Sequence, residues 1–309
     1  MPRRATPAHA LAARLVTVSR IALCTWSDPM YDDPEPPAIA DELRGLGHDA
    51  EVVVWHDPGV DWASFDLVVI RSTWDYFDRL DEYLEWADHV DSVSRIINSP
   101  TVIRWNSHKG YLLELGDAGI PVLPTLALAR GAADPVERMV ATGWGEVVIK
   151  PAVDGGARGA LKAPAGSPEA GAHLLVLVEA GDTIVQPYAA GVEAGEVSLF
   201  FFGGELSHAV RKVPKPGDYR VQALHGGSEV AHTPTEAELD VARRAMAGAP
   251  DALVYARVDL VDVDGQPALM ELELIEPDLF LRMSPGSVTR FASAVAAVLE
   301  PVGSLKVTE

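Results

Sequence analysis

The chain has 309 residues, and its 25 Lys+Arg against 45 Asp+Glu leave a formal net charge of −20. That charge repels the phosphate backbone of nucleic acid and the anionic face of a membrane, so neither is an expected partner. A hydrophobic content of 48%, with no apolar run long enough to cross a bilayer, describes a soluble globular chain, and the length implies two or three packed lobes.

The first 20 residues contain Arg3, Arg4, Arg14 and Arg20 and no acidic residue. Arg14 interrupts their apolar stretch, so they read as an extension outside the fold rather than a secretion signal. Short apolar strands follow at 21–24 and 51–55, and between them 37–46 has helical spacing and stops at Gly47. That is a βαβ unit. Cys24, the only cysteine, lies in the first strand, which excludes an intrachain disulfide and fits a reducing, cytoplasmic compartment. A strand at 67–70, an amphipathic helix at 80–89 and a strand at 96–97 extend a parallel sheet covered by helices.

After Pro100 the pattern changes. A helix is expected at 107–118, an extended segment at 122–127, a helix near 135–141 and a strand at 147–150. A Gly-rich loop at 154–159 leads to a helix near 167–179 and a strand at 183–186. Beyond Gly195 come strands at 197–202, 206–213 and 221–224, the first two joined by a turn at Gly203-Gly204. A helix at 236–247 precedes strands at 253–263 and 267–274, joined by the hairpin signal Asp264-Gly265, and a helix at 287–299 closes the fold.

Asp259 stands on one strand of that last hairpin, while Glu271 and Glu273 alternate along the other and so point to one face. Three carboxylates gathered there repel unless a cation sits among them, and hard oxygen ligands suit Mg²⁺. A solvent-facing polar side of the hairpin is the competing reading.

Candidate cations lie upstream. Lys150 ends a strand and precedes Asp154-Gly155-Gly156-Ala157-Arg158-Gly159, whose glycines let backbone N–H groups wrap around phosphate oxygens. A plain surface turn has the same composition. Lys109 falls near a helix start, where N–H groups and an ammonium can face an anion. Gln186, Pro187 and Tyr188 end an apolar strand; with Glu193 and Glu196 nearby, this segment can offer a wall to a purine and a carboxylate to ribose, or serve only as a linker. Arg211 and Lys212 must point to opposite faces of one strand. Lys212 is the one expected in the site, with Arg220 beside it on a phosphate or a substrate carboxylate.

In this order these residues resemble the ATP-grasp superfamily over roughly 106–299. The resemblance implies an α/β and α+β architecture: an N-terminal parallel α/β substrate lobe (21–105), a small ATP-binding lobe (106–190) and a C-terminal lobe with the metal site (191–309), the last two clasping ATP. It makes Lys109 and Lys150 the nucleotide lysines, Gly155 and Gly156 part of the phosphate loop, 186–188 the adenine hinge, and Glu193 or Glu196 the ribose carboxylate. Asp259, Glu271 and Glu273 would hold Mg²⁺, and Arg158, Lys212 and Arg220 would offset charge on the transferring phosphoryl group. Two positions depart from the family pattern: the hinge acid is Gln186, and the Asn of the metal motif is Glu273.

The implied reaction is ATP-dependent C–N ligation. A substrate carboxylate attacks the γ-phosphorus, and a nitrogen nucleophile then displaces phosphate from the acyl phosphate. The chain is most similar to small glutathione-synthetase-like ligases, a group that includes the cyclo-ligases of antibiotic biosynthesis acting on O-ureido-D-serine. An intermolecular amino-acid or peptide ligase and a non-catalytic nucleotide-binding regulator are the alternatives. The expected partners are ATP and a small amino-acid-like substrate, with homo-oligomerisation left open. Loops at the carboxyl ends of first-lobe strands face the crevice, which singles out Arg71, Ser72, Thr73, Asp75 and Tyr76. There Arg71 can pair with a carboxylate and Asp75 with an amine, unless Trp74 and Tyr76 simply cap the core.

Overall fold

The computed structural model describes residues 18–28, 33–218, 220–221 and 226–300. The expected extension at the amino end lies, up to residue 17, outside the described residues, as does most of the expected strand at 221–224.

Four strands, β1 (Arg20–Thr25), β2 (Asp49–Val54), β3 (Leu67–Ser72) and β4 (Ile96–Ile97), pair in parallel in the order β2-β1-β3-β4. Alternate residues of each strand leave on opposite faces, so both faces must be covered. Ile21, Leu23, Leu67 and Val69 pack with Ile39 and Leu43 of helix α1 (Glu35–Gly45). On the other face Ala22, Cys24, Val68 and Ile70 pack with Tyr83, Trp86 and Val90 of α2 (Leu80–Val93), and with Trp55 and Trp62.

Two short helices, α3 (Pro100–Asn106) and α4 (Tyr111–Asp117), replace the single helix expected at 107–118. Pro100 starts a helix instead of barring one, because the first turn needs no N–H from it. Ser99 caps that turn by accepting from the Val102 N–H at 3.4 Å. Lys109 therefore sits in the break between two helices, not inside one.

The small lobe is an antiparallel sheet of β5 (Leu126–Leu128), β6 (Glu146–Pro151), β7 (Leu161–Pro164) and β8 (Thr183–Pro187), in the order β5-β8-β6-β7. Its apolar face, including Val147, Ile149 and Val185, packs with Met139 of α5 (Pro135–Ala141) and with Leu174 and Val178 of α6 (Pro168–Ala180). β7 was not anticipated; it is four residues long and carries one buried side chain, too little for a period to register.

The third sheet is antiparallel, with β9 (Glu196–Phe202), β10 (Glu205–Val213), β11 (Ser228–Ala231), β12 (Tyr255–Val263) and β13 (Gln266–Glu273) in the order β11-β10-β9-β12-β13. Val197, Leu199, Phe201, Val258 and Leu272 form a core with Val241, Ala242 and Ala245 of α7 (Glu236–Ala247). The opposite face, with Phe200, Phe202 and Tyr255, meets Phe291 and Val295 of α8 (Ser287–Val298) and the α1 side of the first sheet in one continuous core. That shared core fixes the first lobe against the third sheet.

Candidate active site

The outer edge of β13 would present unpaired backbone groups, and α3 and α4 satisfy them. The Asn106 side chain donates to Leu272 O at 2.7 Å and accepts from Leu274 N at 2.8 Å, and the Tyr111 hydroxyl accepts from Leu272 N at 2.9 Å. Lys109 lies between these anchors. Its backbone N–H donates to Ala152 O at 2.8 Å, and its Nζ lies 3.1 Å from Glu271 and 2.5 Å from Asp154 O. One lysine thus ties the hairpin carboxylates to the start of the glycine loop. Burial works against its ammonium, but Glu271, Glu273 and Asp154 more than offset that and raise its pKa.

Asp259 and Glu271 are cross-strand partners of β12 and β13, and Asp259 also faces Ser198 of β9. The Asp259 carboxylate accepts from Ser198 Oγ at 2.6 Å, from Lys212 Nζ at 3.2 Å and from Arg257 Nη2 at 2.7 Å. Burial raises its pKa, but Arg257 and Lys212 outweigh burial and hold the group far below the usual carboxylate range. Lys212 also contacts Glu196, whose pKa burial pushes up to about 7 despite that lysine. Arg211 leaves the other face of β10, toward Gly195 O and His232, as strand alternation requires.

Arg257 is the residue the sequence reading passed over. It stands two positions before Asp259, hence on the same face, and opposite Glu273 in the strand register. Its guanidinium joins Asp259 to Glu273, the latter at 2.6 Å. The period of two that picked Glu271 and Glu273 would have found it.

The three expected metal carboxylates are accordingly neighbours, but each is held by a cation: Asp259 by Arg257 and Lys212, Glu273 by Arg257, Glu271 by Lys109. Among the described residues no three acidic, histidine or cysteine side chains converge as ligands of one ion. Burial, with Asp259, Glu271 and Glu276 nearby, pushes Glu273 up to about 8 despite Arg257, and burial pushes Glu276 up to about 7. Glu271, like Asp259, stays lowered, because Lys109 and Lys150 outweigh its burial.

Lys150, at the end of β6, faces the same carboxylates from across the cleft. Burial lowers its pKa, Glu271 and Glu196 oppose that, and Lys109 adds repulsion. No carboxylate among the described residues lies within ion-pair distance of its Nζ. The lysine is a cation held ready without a close partner.

The loop after β6 turns through positive φ at Gly156 (65°), Ala157 (59°) and Gly159 (68°). Arg158 does not reach the carboxylate cluster, contrary to its expected catalytic place. It makes two bonds to Asp78 of the first lobe, at 2.8 and 2.9 Å, another to Asp154 at 3.1 Å, and lies over the Phe77 ring at 4.4 Å. Arg220 is bound to Asp218 at 2.8 Å, a partner two residues away.

At the hinge, Gln186 is buried and donates to Thr125 Oγ1 at 3.0 Å, and Pro187 ends β8. Tyr188 carries Lys162 over its ring at 3.5 Å and donates to Glu193 at 3.3 Å; burial and Glu193 raise its pKa to about 12. Glu193 is exposed beside the hinge, whereas Glu196 is buried against Lys212.

Most of the first-lobe residues expected to meet substrate point inward. Arg71 is 1% exposed; it donates to Pro277 O at 2.7 Å, lies 3.4 Å from Glu35 and sits over the rings of Tyr255 and Phe291. Ser72 and Thr73 are buried, bonded to Asp33 at 2.6 Å and to Tyr83 at 3.0 Å. These three assignments are corrected: the side chains at and just past the end of β3 turn into buried surroundings and not toward solvent. Tyr76 also belongs to the aromatic core, although its hydroxyl lies in the field of Glu276, Glu273 and Glu271, which with burial raises its pKa. Asp75 keeps 19% of its side-chain surface open.

The arrangement is two lysines from separate elements facing a buried acidic hairpin, with a glycine loop alongside. Residues 124–278 match the family model of the prokaryotic glutathione synthetase ATP-grasp domain, and residues 10–98 that of the D-cycloserine synthetase DcsG N-terminal domain. Over 305 residues the chain is 34% identical to the cycloserine biosynthesis protein DcsG of Streptomyces lavendulae, which spans 91% of this chain and 99% of that protein. The chain belongs to the ATP-grasp ligases of the DcsG family. It is therefore an enzyme that uses ATP to form carbon–nitrogen bonds. A crystal structure of D-cycloserine synthetase DcsG matches this ATP-grasp ligase with a TM-score of 0.81 at 33% identity, over 91% of this chain and 100% of that one. The glutathione synthetase of Bordetella pertussis is 28% identical over 221 residues, 67% of this chain and 65% of that protein. D-alanine–D-alanine ligase of Bacillus anthracis shares the fold, with a TM-score of 0.68 at 14% identity over 91% of this chain and 96% of that one. No helix among the described residues is long and apolar enough to cross a membrane.

Proposed function

We propose that this ligase is an intramolecular cyclo-ligase of an amino-acid derivative, with O-ureido-D-serine as the substrate to test first. The observation that carries the reading is the convergence of Lys109 and Lys150 on Glu271, beside a first lobe that matches the DcsG N-terminal domain. The substrate carboxylate attacks the γ-phosphorus of ATP and ADP leaves. The oxygen-bound nitrogen of the same molecule then attacks the acyl carbon, phosphate departs, and a five-membered ring closes. With O-ureido-D-serine the carbamoyl group on that nitrogen is also lost, one water converting it to carbon dioxide and ammonia.

In this scheme Lys109 and Lys150 neutralise phosphate oxygens, and the Gly155-Gly156 loop covers them and keeps out water that would destroy the acyl phosphate. Gln186, Pro187 and Tyr188 line the base, and Glu193, being exposed at the hinge, takes the ribose role in preference to Glu196. Lys212 holds Asp259 and Glu196 in place and acts on the phosphoryl group only through them. Glu271 and Glu273 fit Mg²⁺: both are carboxylates on one strand face, with Asp259 opposite Glu271 on the neighbouring strand. Bound there with ATP, the ion would neutralise phosphate charge.

The test is to incubate the enzyme with ATP, Mg²⁺ and O-ureido-D-serine and to follow phosphate and the cyclic product by mass spectrometry. Formation of the ring compound in step with phosphate is expected. Phosphate release that requires a second amine and yields a linear conjugate would favour intermolecular ligation instead.

A further inference from the structure

The carboxyl ends of β1, β2 and β3 converge where the order β2-β1-β3 places successive connections on either side of β1, the usual ligand crevice of an open parallel sheet. Three polar side chains meet there. His56 Nε2 lies 3.4 Å from Ser27 Oγ and 3.6 Å from Asp75 Oδ2, and Asp75 Oδ1 accepts from the Trp55 indole N–H at 2.7 Å. Both neighbours of His56 share one ring nitrogen, so this is not a nucleophile–base–acid relay, in which the acid would orient the other nitrogen. Ser27 is exposed, and Asp75 and His56 keep 19% and 24% of their side-chain surface open, in contrast to the closed surroundings of Ser72 and Thr73.

The walls are aromatic. The rings of Trp26 and Trp74 meet edge-on at 6.3 Å, and Trp55 stands edge-on to His56 at 5.3 Å. Arg79 is the nearby cation, 3.7 Å from Asp75, but its guanidinium is held by two bonds to Glu82 and lies over the Trp55 ring. The two neighbours of Asp75 reach toward the acidic hairpin: Trp74 donates its indole N–H to Glu276 O at 2.9 Å, and Tyr76 lies in the field of Glu276, Glu273 and Glu271.

We propose that Ser27, His56 and Asp75, at the ends of β1, β2 and β3, form the subsite that holds the ammonium group of the amino-acid substrate. A carboxylate supplies the counter-charge, the hydroxyl and imidazole fix the direction of approach, and π-faces favour a cation over a neutral or anionic group. Holding the ammonium fixes Cα, and so presents the substrate carboxylate to the lysine side of the crevice. His56 and Ser27 are positioning residues. The inference deepens the cyclo-ligase reading by naming what selects an amino acid over a simple carboxylic acid, and it rests on that reading only for the choice of probe.

The experiment is calorimetric and needs no turnover. Dissociation constants are measured, with a non-hydrolysable ATP analogue present, for O-ureido-D-serine and for the same molecule lacking its amino group. The proteins are the wild type, Asp75→Asn, His56→Gln and Ser27→Ala. Asn keeps an oxygen for the Trp55 N–H and Gln keeps a hydrogen-bonding group, and unchanged melting temperatures identify folded variants. The wild type is expected to favour the amino compound by about 10- to 100-fold, as for a charge-assisted contact. Asp75→Asn should reduce that preference to within about 3-fold, with His56→Gln between the two, while affinity for the desamino compound and the ATP analogue stays unchanged. An equal preference in all four proteins, or none in the wild type, overturns the subsite. Failure to form a ring product, with the ammonium preference intact, would overturn the cyclo-ligase reading alone.

Discussion

Lys109 Nζ lies 3.1 Å from the Glu271 carboxylate, although Lys150, which faces the same carboxylate, has no partner at such a distance. The two lysines should therefore respond differently to removal. Lys109→Met leaves the half-buried Glu271 without its closest counter-charge, which costs about 1–3 kcal/mol, and activity is lost as well. Lys150→Met should leave the melting temperature unchanged or slightly raised, because burial already disfavours its charged form, while kcat/KM falls by roughly 100- to 1000-fold. Paired thermal melts and steady-state rates check this; equal losses of stability would show that the two sites are not distinct.

Arg257 joins two carboxylates of neighbouring strands, and its side chain is 12% exposed. Arg257→Met strands both Asp259 and Glu273, so a loss of about 3–5 kcal/mol in denaturant stability is expected. A change below about 1 kcal/mol would mean that the carboxylates find other cations or protons at no great cost.

The Arg158–Asp78 pair is exposed and contributes little to stability, so Asp78→Ala should change it by less than about 1 kcal/mol. Its position matters more. It tethers the glycine loop to the first lobe, where Gly155 also approaches Phe77, a carbon added at Gly155 falling 3.1 Å from the ring. Loosening that tether should admit water to the acyl phosphate, so that phosphate released exceeds product formed. Assaying both in one reaction gives the ratio, and a ratio held at one would remove the loop-tether role from Asp78.

Glu35 gives a pH dependence away from the reaction centre. Burial and Asp278 raise its pKa from 4.5 to about 7, against the opposing pull of Arg71. The folded state then binds this proton more tightly than the unfolded chain does. Stability from the protonated group is full below pH 4.5 and is lost as pH rises to about 7. Glu35→Gln should flatten that part of the stability–pH curve; an unchanged slope would assign it to other carboxylates.

Much of the fold was legible because strands buried on both faces, such as 67–70, leave unbroken apolar runs, and because Asp264-Gly265 marks a hairpin. The break at 107–110 was not, since Pro100 can end or begin a helix and only the Ser99 cap decides. Lys109, Lys150, Lys212, Asp259 and Glu271, expected from a helix start, strand ends and alternation, do lie together in one cleft, and their roles there belong to the proposal above. What sequence did not give was competition among partners. Arg71 finds Glu35 and Pro277 O, Arg158 finds Asp78, and Arg220 finds Asp218, all contacts that depend on how lobes or loops meet. Arg257 was missed although its spacing from Asp259 obeys the rule applied to Glu271 and Glu273.

The acyl-phosphate step can be read from isotopes. O-Ureido-D-serine labelled with ¹⁸O in its carboxylate is turned over with unlabelled ATP, and the released phosphate is weighed by mass spectrometry. Transfer of one carboxylate oxygen to phosphate in each turnover is the predicted result. Release of unlabelled phosphate alongside a ring product would contradict activation of the carboxylate at the Lys109–Lys150–Glu271 centre.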